Sequence, residues 1–277
     1  MKPLVSIVIP NYNNGKYILD TIESASLQDY ENIEIIVVDD GSTDDSLQVL
    51  SKTSYPIALH TSINLGAASA RNIGILAARG EYIALLDSDD LWETNKISLQ
   101  IEFLIANQLD LVYCSGVVFG ETVDCGKILK AEYKGDCYRF FKKYPSHAIV
   151  QLGCSGAVFR KKLLSQIGLF DMGVPGPTED WDFFRRFSKK GKIGFCSEIL
   201  VHYRRHANNI SGKSAQSYYL GNSIAVLKMI HDDLNIGFFE RRLIWFRFQY
   251  ISAKSFAKNG DYFGCCSAFA RSILPLP

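Results

Sequence analysis

Three carboxylates crowd together at Asp87, Asp89 and Asp90, directly after the apolar run Tyr82 to Leu86. Carboxylates at the end of a buried strand are costly to desolvate unless a cation compensates them. Hard oxygens spaced D-x-D, here with Ser88 between, suit Mg²⁺ or Mn²⁺ shared with substrate phosphates. The plain alternative is a solvated, helix-capping acidic turn. A second pair, Asp39 and Asp40, closes another apolar run, Ile33 to Val38. One of these could accept hydrogen bonds from a base or ribose, as the acidic residue of dinucleotide folds does. The alternative is again a turn or a helix cap.

The elements that must hold these groups alternate. Val5 to Ile9 reads as a β-branched strand ending in Pro10-Asn11-Tyr12-Asn13, and Tyr17 to Leu27 has helical spacing. Ile33 to Val38 is a strand, and a helix follows from about Asp44 to Leu50, capped by Ser42, Thr43 or Asp44. Ile57 to His60 is a short strand, Gly66 to Ala78 an Ala-rich helix, and Tyr82 to Leu86 a strand. Continuous apolar strands alternating with helices predict an α/β fold with a parallel sheet covered on both faces. Ligands of such sheets lie outside the carboxyl ends of the strands, where all three polar loops would gather.

Beyond Leu91 the pattern loosens. A helix is expected over Lys96 to Ile105, and strands over Leu111 to Phe119, Gly156 to Phe159 and Ile199 to Tyr203. A helix is also expected over Glu179 to Ser188, with Trp181, Phe184 and Phe187 along one side. Residues 120–150 read as a variable region, and the chain from about Ala215 as helical.

An ordered set of motifs runs through these elements. It comprises S-I-V-I-P-N-Y-N-N-G-K-Y-I, V-V-D-D-G-S-T-D-D-S, N-L-G-A-A-S-A-R-N-I-G, A-L-L-D-S-D-D-L-W, G-A-V-F-R-K, G-L-F-D and E-D-W-D-F-F-R-R-F. The set resembles glycosyltransferase family 2 across about residues 4–210. That resemblance implies a GT-A, Rossmann-like, mostly parallel sheet flanked by helices, with a helical C-terminal extension. It also implies a nucleoside-diphosphate sugar donor and a divalent metal, Mn²⁺ or Mg²⁺. By position, Pro10 and Tyr12 would border the base, usually uracil, and Asp40 would hydrogen-bond it with Asp39 close by. Arg71 would approach the base or diphosphate. Asp87, Ser88 and Asp89 would form the D-x-D site, with Asp89 nearest the metal and Asp90 assisting.

Asp180 would be the catalytic base of inverting transfer, taking the acceptor hydroxyl's proton as its oxygen attacks the anomeric carbon. The alternative is that Glu179 and Asp180 only complement a helix dipole. Gly153 to Gly156 would bring backbone close to the donor sugar, or form an ordinary turn. His206 matches a C-terminal histidine that ligates metal in many GT-A enzymes, with His202 as its competitor. The expected layout is a catalytic domain over 1–212, nucleotide-binding to about 110 and acceptor-binding over 111–212, followed by a helical extension over 213–277.

Other readings narrow. The first strand lacks the G-x-G-x-x-G turn of a dehydrogenase, and the chain lacks a P-loop. A nucleotidyltransferase would show a Gly- and Lys-rich loop where Asn11-Tyr12-Asn13-Asn14 stands. A non-catalytic sugar-nucleotide-binding subunit is disfavoured by the intact Asp87, Asp89 and Asp180. The Q-x-x-R-W motif of processive family members is missing, which favours transfer of one sugar per acceptor. A formal net charge of +1 over 277 residues argues against nucleic acid as partner. Seven cysteines without a C-x-x-C pair argue for free thiols rather than disulfides or zinc. The N-terminus lacks a signal peptide's apolar region, and no apolar run reaches about 18 residues. The expected location is therefore cytoplasmic, with peripheral attachment to the inner face of the cell membrane as an option.

That option comes from the tail. Residues 237–277 carry Arg241, Arg242, Arg247, Lys254, Lys258 and Arg271 against Glu240 and Asp261. Phe239, Leu243, Phe246 and Tyr250 fall on one helical face. Basic residues beside aromatics suit an anionic membrane surface near a lipid-linked acceptor. The competing reading has this stripe packing on the catalytic domain or on a second subunit. The acceptor is expected to be a glycan or a lipid-linked oligosaccharide of surface polysaccharide synthesis.

Overall fold

The computed structural model describes residues 2–131, 133, 135–145, 152–207, 209 and 215–273. Its chain forms two compact units, one of Met1–Tyr133, Ile149–Phe170 and Lys190–Ala207, the other of Lys134–Ala148, Asp171–Lys189 and Asn208–Pro277.

The first unit is built on one sheet. Its strands are β1 (Val5–Asn11), β2 (Ile33–Asp39), β3 (Ile57–Thr61), β4 (Tyr82–Leu85), β5 (Leu91–Trp92), β6 (Leu111–Gly120), β7 (Ile128–Leu129), β8 (Ala157–Arg160) and β9 (Ile193–Arg205). The spatial order is β3-β2-β1-β4-β8-β6-β9-β5, with β7 beside β6. Helices α1 (Ile18–Ser26), α2 (Ser46–Ser51), α3 (Ala67–Ala77) and α4 (Lys96–Ala106) connect or flank these strands.

The half formed by β1 to β4 is fully parallel, as the apolar runs predict. Val5, Ile7, Val8, Ile9, Val37, Val38, Ile83 and Leu85 are completely or almost completely buried, so both faces of this half are covered. Helix α3 lies close on β1. A Cβ at Gly74 would fall 2.4 Å from Val8 Cγ1, so no larger residue fits there without displacement.

The other half is mixed. Strand β8 runs antiparallel to both β4 and β6, β9 runs parallel to β6, and β5 runs antiparallel to β9. The "mostly parallel" expectation therefore holds for the half formed by β1 to β4 and gives way beyond it. Strand β8 is followed at once by a 3₁₀ turn and a four-residue helix, α6 (Leu164–Ile167).

Two positions explain themselves. Pro10 sits in a central strand, normally a poor place for proline. Val5 N–H points toward β2, while Leu4 and Val8 carbonyls accept from Tyr82 and Leu86 on the β4 side. The alternation puts the missing Pro10 N–H on the β4 side, past the point where β4 has ended, so no ladder bond is lost. At the other end of the sheet, β9 is longer than Ile199 to Tyr203 because Ile193 to Cys196 also pairs with β6 across a register shift at Ser115.

The second unit is helical, with α5 (Cys137–Lys143), α7 (Glu179–Lys190), α8 (Ala215–Asp232), α9 (Phe238–Lys258) and α10 (Tyr262–Ile273). Phe141 meets Trp181 edge to face at 5.3 Å, and Tyr219 stacks on Phe248 at 5.5 Å. Phe183 is fully buried beside Phe184 and Phe187, so α7 hides a wider aromatic face than the expected Trp181, Phe184 and Phe187 side. Among the described residues no helix is long and apolar enough to cross a membrane. All seven cysteines are free thiols.

Candidate active site

Chain direction at β1 creates the site. From β1 the chain steps outward to β2 and β3, then returns to the other side of β1 as β4. Such a reversal leaves a crevice at the carboxyl ends of the strands. Asn11, Asp39 and the loop after Leu85 all open on that edge.

At the ends of β1 and β2, side chains knit two loops together. Asp39 is completely buried; its Oδ1 accepts from Ser42 N at 2.9 Å, and its Oδ2 accepts from Asn11 Nδ2 and Ser42 Oγ, both at 2.7 Å. Asp40 accepts from Leu65 N at 2.9 Å and Gly66 N at 2.6 Å, just before α3 begins. Asp39 thus closes the turn of its own loop, and Asp40 ties that loop to the one before α3. Asn13, held at φ 53°, accepts from Thr43 N at 2.7 Å and so locks the first loop to the second. Tyr12 is exposed, and its hydroxyl accepts from Asn64 Nδ2 at 3.0 Å. Asn11 Oδ1 is buried and has no hydrogen-bond partner among the described residues. That unspent acceptor carries no signal in the sequence.

The acidic loop after β4 divides its three carboxylates among three jobs. Asp87 is ion-paired with Arg71 at 2.8 Å, and Arg71 also lies over the Phe170 ring. The charge of Arg71 is thus engaged by Asp87. Ser88 turns inward: its hydroxyl accepts from Asn14 Nδ2 at 2.8 Å, and its carbonyl accepts from Thr21. Asp89 meets His206, Oδ2 to Nε2, at 3.0 Å. The Tyr17 ring lies 4.7 Å from the His206 ring and braces it.

Asp90 is completely buried and accepts from Ser155 Oγ at 2.6 Å and Arg204 N at 2.9 Å. Burial pushes its carboxyl well above the usual range, and the neighbouring Asp89 and Asp87 push the same way. It is a strut between β4, β8 and β9 rather than an open ligand. Arg204, which the sequence reading passed over, adds Nε to Asp89 O at 2.7 Å and lies over the rings of Tyr17 and Phe119.

Strand pairing explains why His206 arrives here and His202 does not. Leu91 pairs with His202 and Trp92 with Val201, antiparallel, so residues past His202 on β9 run back along the acidic loop. His202 instead contacts Glu93 at 2.7 Å. The Gly153 to Gly156 turn is set by packing. Gly153 has φ 57° and its carbonyl accepts from Tyr113 hydroxyl at 2.6 Å, while a Cβ at Gly156 would fall 2.8 Å from Tyr113 Cζ. Ser155 between them also accepts from Asp87 N at 3.1 Å.

A divalent metal fits what is here. Asp89 and His206 offer one hard carboxylate and one imidazole nitrogen close enough to share an ion. Among the described residues no group of three or more His, Cys, Asp or Glu gathers as a closed protein cage. Few protein ligands, with the rest supplied by phosphate oxygens and water, is how Mg²⁺ is commonly held with nucleotides.

Asp180 belongs to the second unit, in the first turn of α7, where its Oδ1 accepts from Trp181 N at 2.6 Å. It is half-buried, and three acidic residues, Glu179, Asp180 and Asp182, share that turn. Asp182 is spent on Arg185 and Arg186, at 2.6 and 2.7 Å.

Known proteins share this plan. Residues 6–168 match the family model described as "Glycosyl transferase family 2". An Escherichia coli protein named UDP-Glc:alpha-D-GlcNAc-diphosphoundecaprenol beta-1,3-glucosyltransferase WfaP is 34% identical over 212 residues, covering 75% of this chain and 80% of that one. An uncharacterized glycosyltransferase of Rickettsia typhi is 35% identical over 210 residues, covering 74% of this chain and 64% of its own length. This chain thus spans less than two thirds of that relative. Among solved structures, S. aureus TarS 1-349 in complex with UDP superposes with a TM-score of 0.59 at 17% identity, covering 96% of this chain and 90% of that one. The mannosyltransferase PcManGT of Pyrobaculum calidifontis, in complex with GDP-Man and Mn²⁺, gives 0.60 at 16% identity, covering 100% and 77%. The fold is that of GT-A enzymes, and the chain belongs to glycosyl transferase family 2.

Proposed function

We propose that this chain is a metal-dependent inverting glycosyltransferase, moving a sugar from a nucleoside-diphosphate donor to a hydroxyl of a glycan or lipid-linked oligosaccharide. A UDP-sugar is the favoured donor. The observation that carries the reading is the Asp89–His206 pair at 3.0 Å, delivered by two different strands to the sheet's switch point.

Around that pair the roles follow. Tyr12 offers an exposed ring for a base to lie against, with Pro10, Asp39 and Asp40 shaping the pocket floor. Asn11 Oδ1, buried and unpartnered among the described residues, is an acceptor suited to a ring N–H donor. Asp89 and His206 hold the divalent ion, which when bound offsets charge growing on the leaving diphosphate. Arg71 keeps Asp87 in place and adds positive charge near the diphosphate. Asp180 accepts the acceptor hydroxyl's proton as that oxygen attacks the anomeric carbon. The UDP preference draws on the WfaP name and the UDP-bound TarS neighbour; GDP-Man in PcManGT is the counterweight.

Thermal unfolding with UDP, GDP and dTDP, each with and without Mn²⁺, tests this. A ligand held by the folded state raises the melting temperature. The expected result is a UDP shift that needs Mn²⁺, is lost in Asp89→Ala, and demands about 10- to 100-fold more metal in His206→Ala. A shift with GDP alone would overturn the UDP assignment. No shift with any nucleotide at saturation would overturn the donor site.

A further inference from the structure

Helix α9 has two apolar faces where one would suffice. Ile244, Trp245, Phe248 and Phe256 face inward and are buried. Phe239, Leu243, Phe246 and Tyr250 form a second stripe, and all four are exposed, Phe239 by 84%. At 1.5 Å per residue the stripe runs roughly 16 Å along a 21-residue helix. A surface helix normally turns charged or polar residues outward. Here the outward face is aromatic, with Phe246 and Tyr250 stacked in parallel. Nearby, α10 also exposes Tyr262, Phe263 and Phe269.

The charges beside the stripe are mostly positive. On the helical wheel Arg242 flanks one side, and Arg247, Lys254 and Lys258 flank the other. Lys254 lies over the Tyr250 ring at 4.6 Å. The single acidic residue of α9, Glu240, is taken by Lys142 at 2.8 Å. Asp261 accepts from Gly264 N at 2.8 Å at the start of α10.

We infer that the outer face of α9 docks on an anionic lipid surface, with Phe239, Leu243, Phe246 and Tyr250 entering the headgroup boundary between Arg242 on one side and Arg247, Lys254 and Lys258 on the other. Charge decides against a second copy. A two-fold contact would set the same patch against itself, bringing a mostly positive surface against another of the same sign. A bilayer supplies both requirements at once, apolar depth for the rings and negative headgroups for the flanking cations.

Flotation of the full chain with phosphatidylcholine vesicles, alone or with phosphatidylglycerol added, tests this. The expected result is binding to the anionic vesicles, weak binding to the neutral ones, and release near 1 M salt, where screening reaches about 3 Å. Phe239→Ser with Phe246→Ser should weaken vesicle binding about tenfold or more while leaving the melting temperature unchanged, since both rings are exposed. Arg242→Gln with Lys254→Gln should weaken binding to anionic vesicles alone. Failure to bind anionic vesicles would overturn the inference. So would a discrete dimer of fixed stoichiometry, seen by sedimentation, that the double serine variant splits. The assay uses neither donor nor acceptor, so its failure leaves the transferase reading standing.

Discussion

At the scale of single residues, three neighbouring carboxylates have been given different work by what surrounds them. Asp87 faces a guanidinium, Asp89 an imidazole, and Asp90 a hydroxyl and a backbone N–H in complete burial. Their adjacency was plain in the sequence; their division of labour was not, because Arg71, Ser155 and the Arg204–His206 pair come from three distant stretches of chain. The same holds for the choice between His206 and His202, four residues apart, which turns on the register of a two-residue strand, β5. Asp180 is the residue whose role can be isolated most cleanly. Asp180→Asn keeps size and helix position, and its amide oxygen can still accept from Trp181 N. Transfer should fall by about 10²- to 10⁴-fold, the usual contribution of a positioned general base, while UDP and Mn²⁺ binding stay as they were. Steady-state kinetics beside nucleotide titration would check this, and undiminished turnover would remove Asp180 from the mechanism.

Elements carried most of what could be read ahead of the structure. Apart from β5, the strands and helices of the first 110 residues fall within two residues of their expected bounds, since each is an apolar run closed by a polar loop. Strands β5 and β7 went unseen because two-residue strands have no periodicity to detect. Helix α5 was hidden in the variable stretch, although Asp136 caps it by accepting from Arg139 N at 2.9 Å. The helices of the second unit hold a feature with no motif at all. Buried Asp233, just beyond α8, accepts from Lys189 of α7 at 2.8 Å, from the Tyr138 hydroxyl of α5, and from Asn235 N at 3.1 Å. Burial alone would raise its carboxyl; those donors outweigh it and draw the pKa down to about 2. A depressed carboxylate contributes stability that is complete above its unfolded value near 4 and is lost as pH falls through about 2. Asp233→Asn should therefore cost about 2 kcal/mol at neutral pH. The gap from the parent chain should close as pH drops from 4 toward 2. Urea unfolding at stepped pH would read it, and a gap independent of pH would show that packing rather than charge is responsible.

For the molecule as a whole, the balance of charge meets the placement of apolar surface. The formal net charge is only +1 at neutral pH, so electrostatic repulsion between copies is weak there. The second unit at the same time presents Leu234, Phe238, Phe239 and Phe263, each more than half exposed. Low net charge with exposed aromatic surface favours association without a fixed geometry. Light scattering of the purified chain should therefore peak near neutral pH. It should fall as pH moves away from that point in either direction and the net charge grows. The variant Phe239→Ser with Phe246→Ser should flatten that peak without moving it, because it removes adhesive surface and leaves every charge in place. A charge variant such as Lys254→Glu should move the peak instead, since it lowers the net charge and shifts the neutral point downward. If the serine variant scattered as strongly as the parent, the adhesive surface would lie elsewhere than on α9, on α10 or on the sheet unit. If both variants behaved as expected, the same residues that make the free chain associate in dilute buffer would be those that a lipid surface covers.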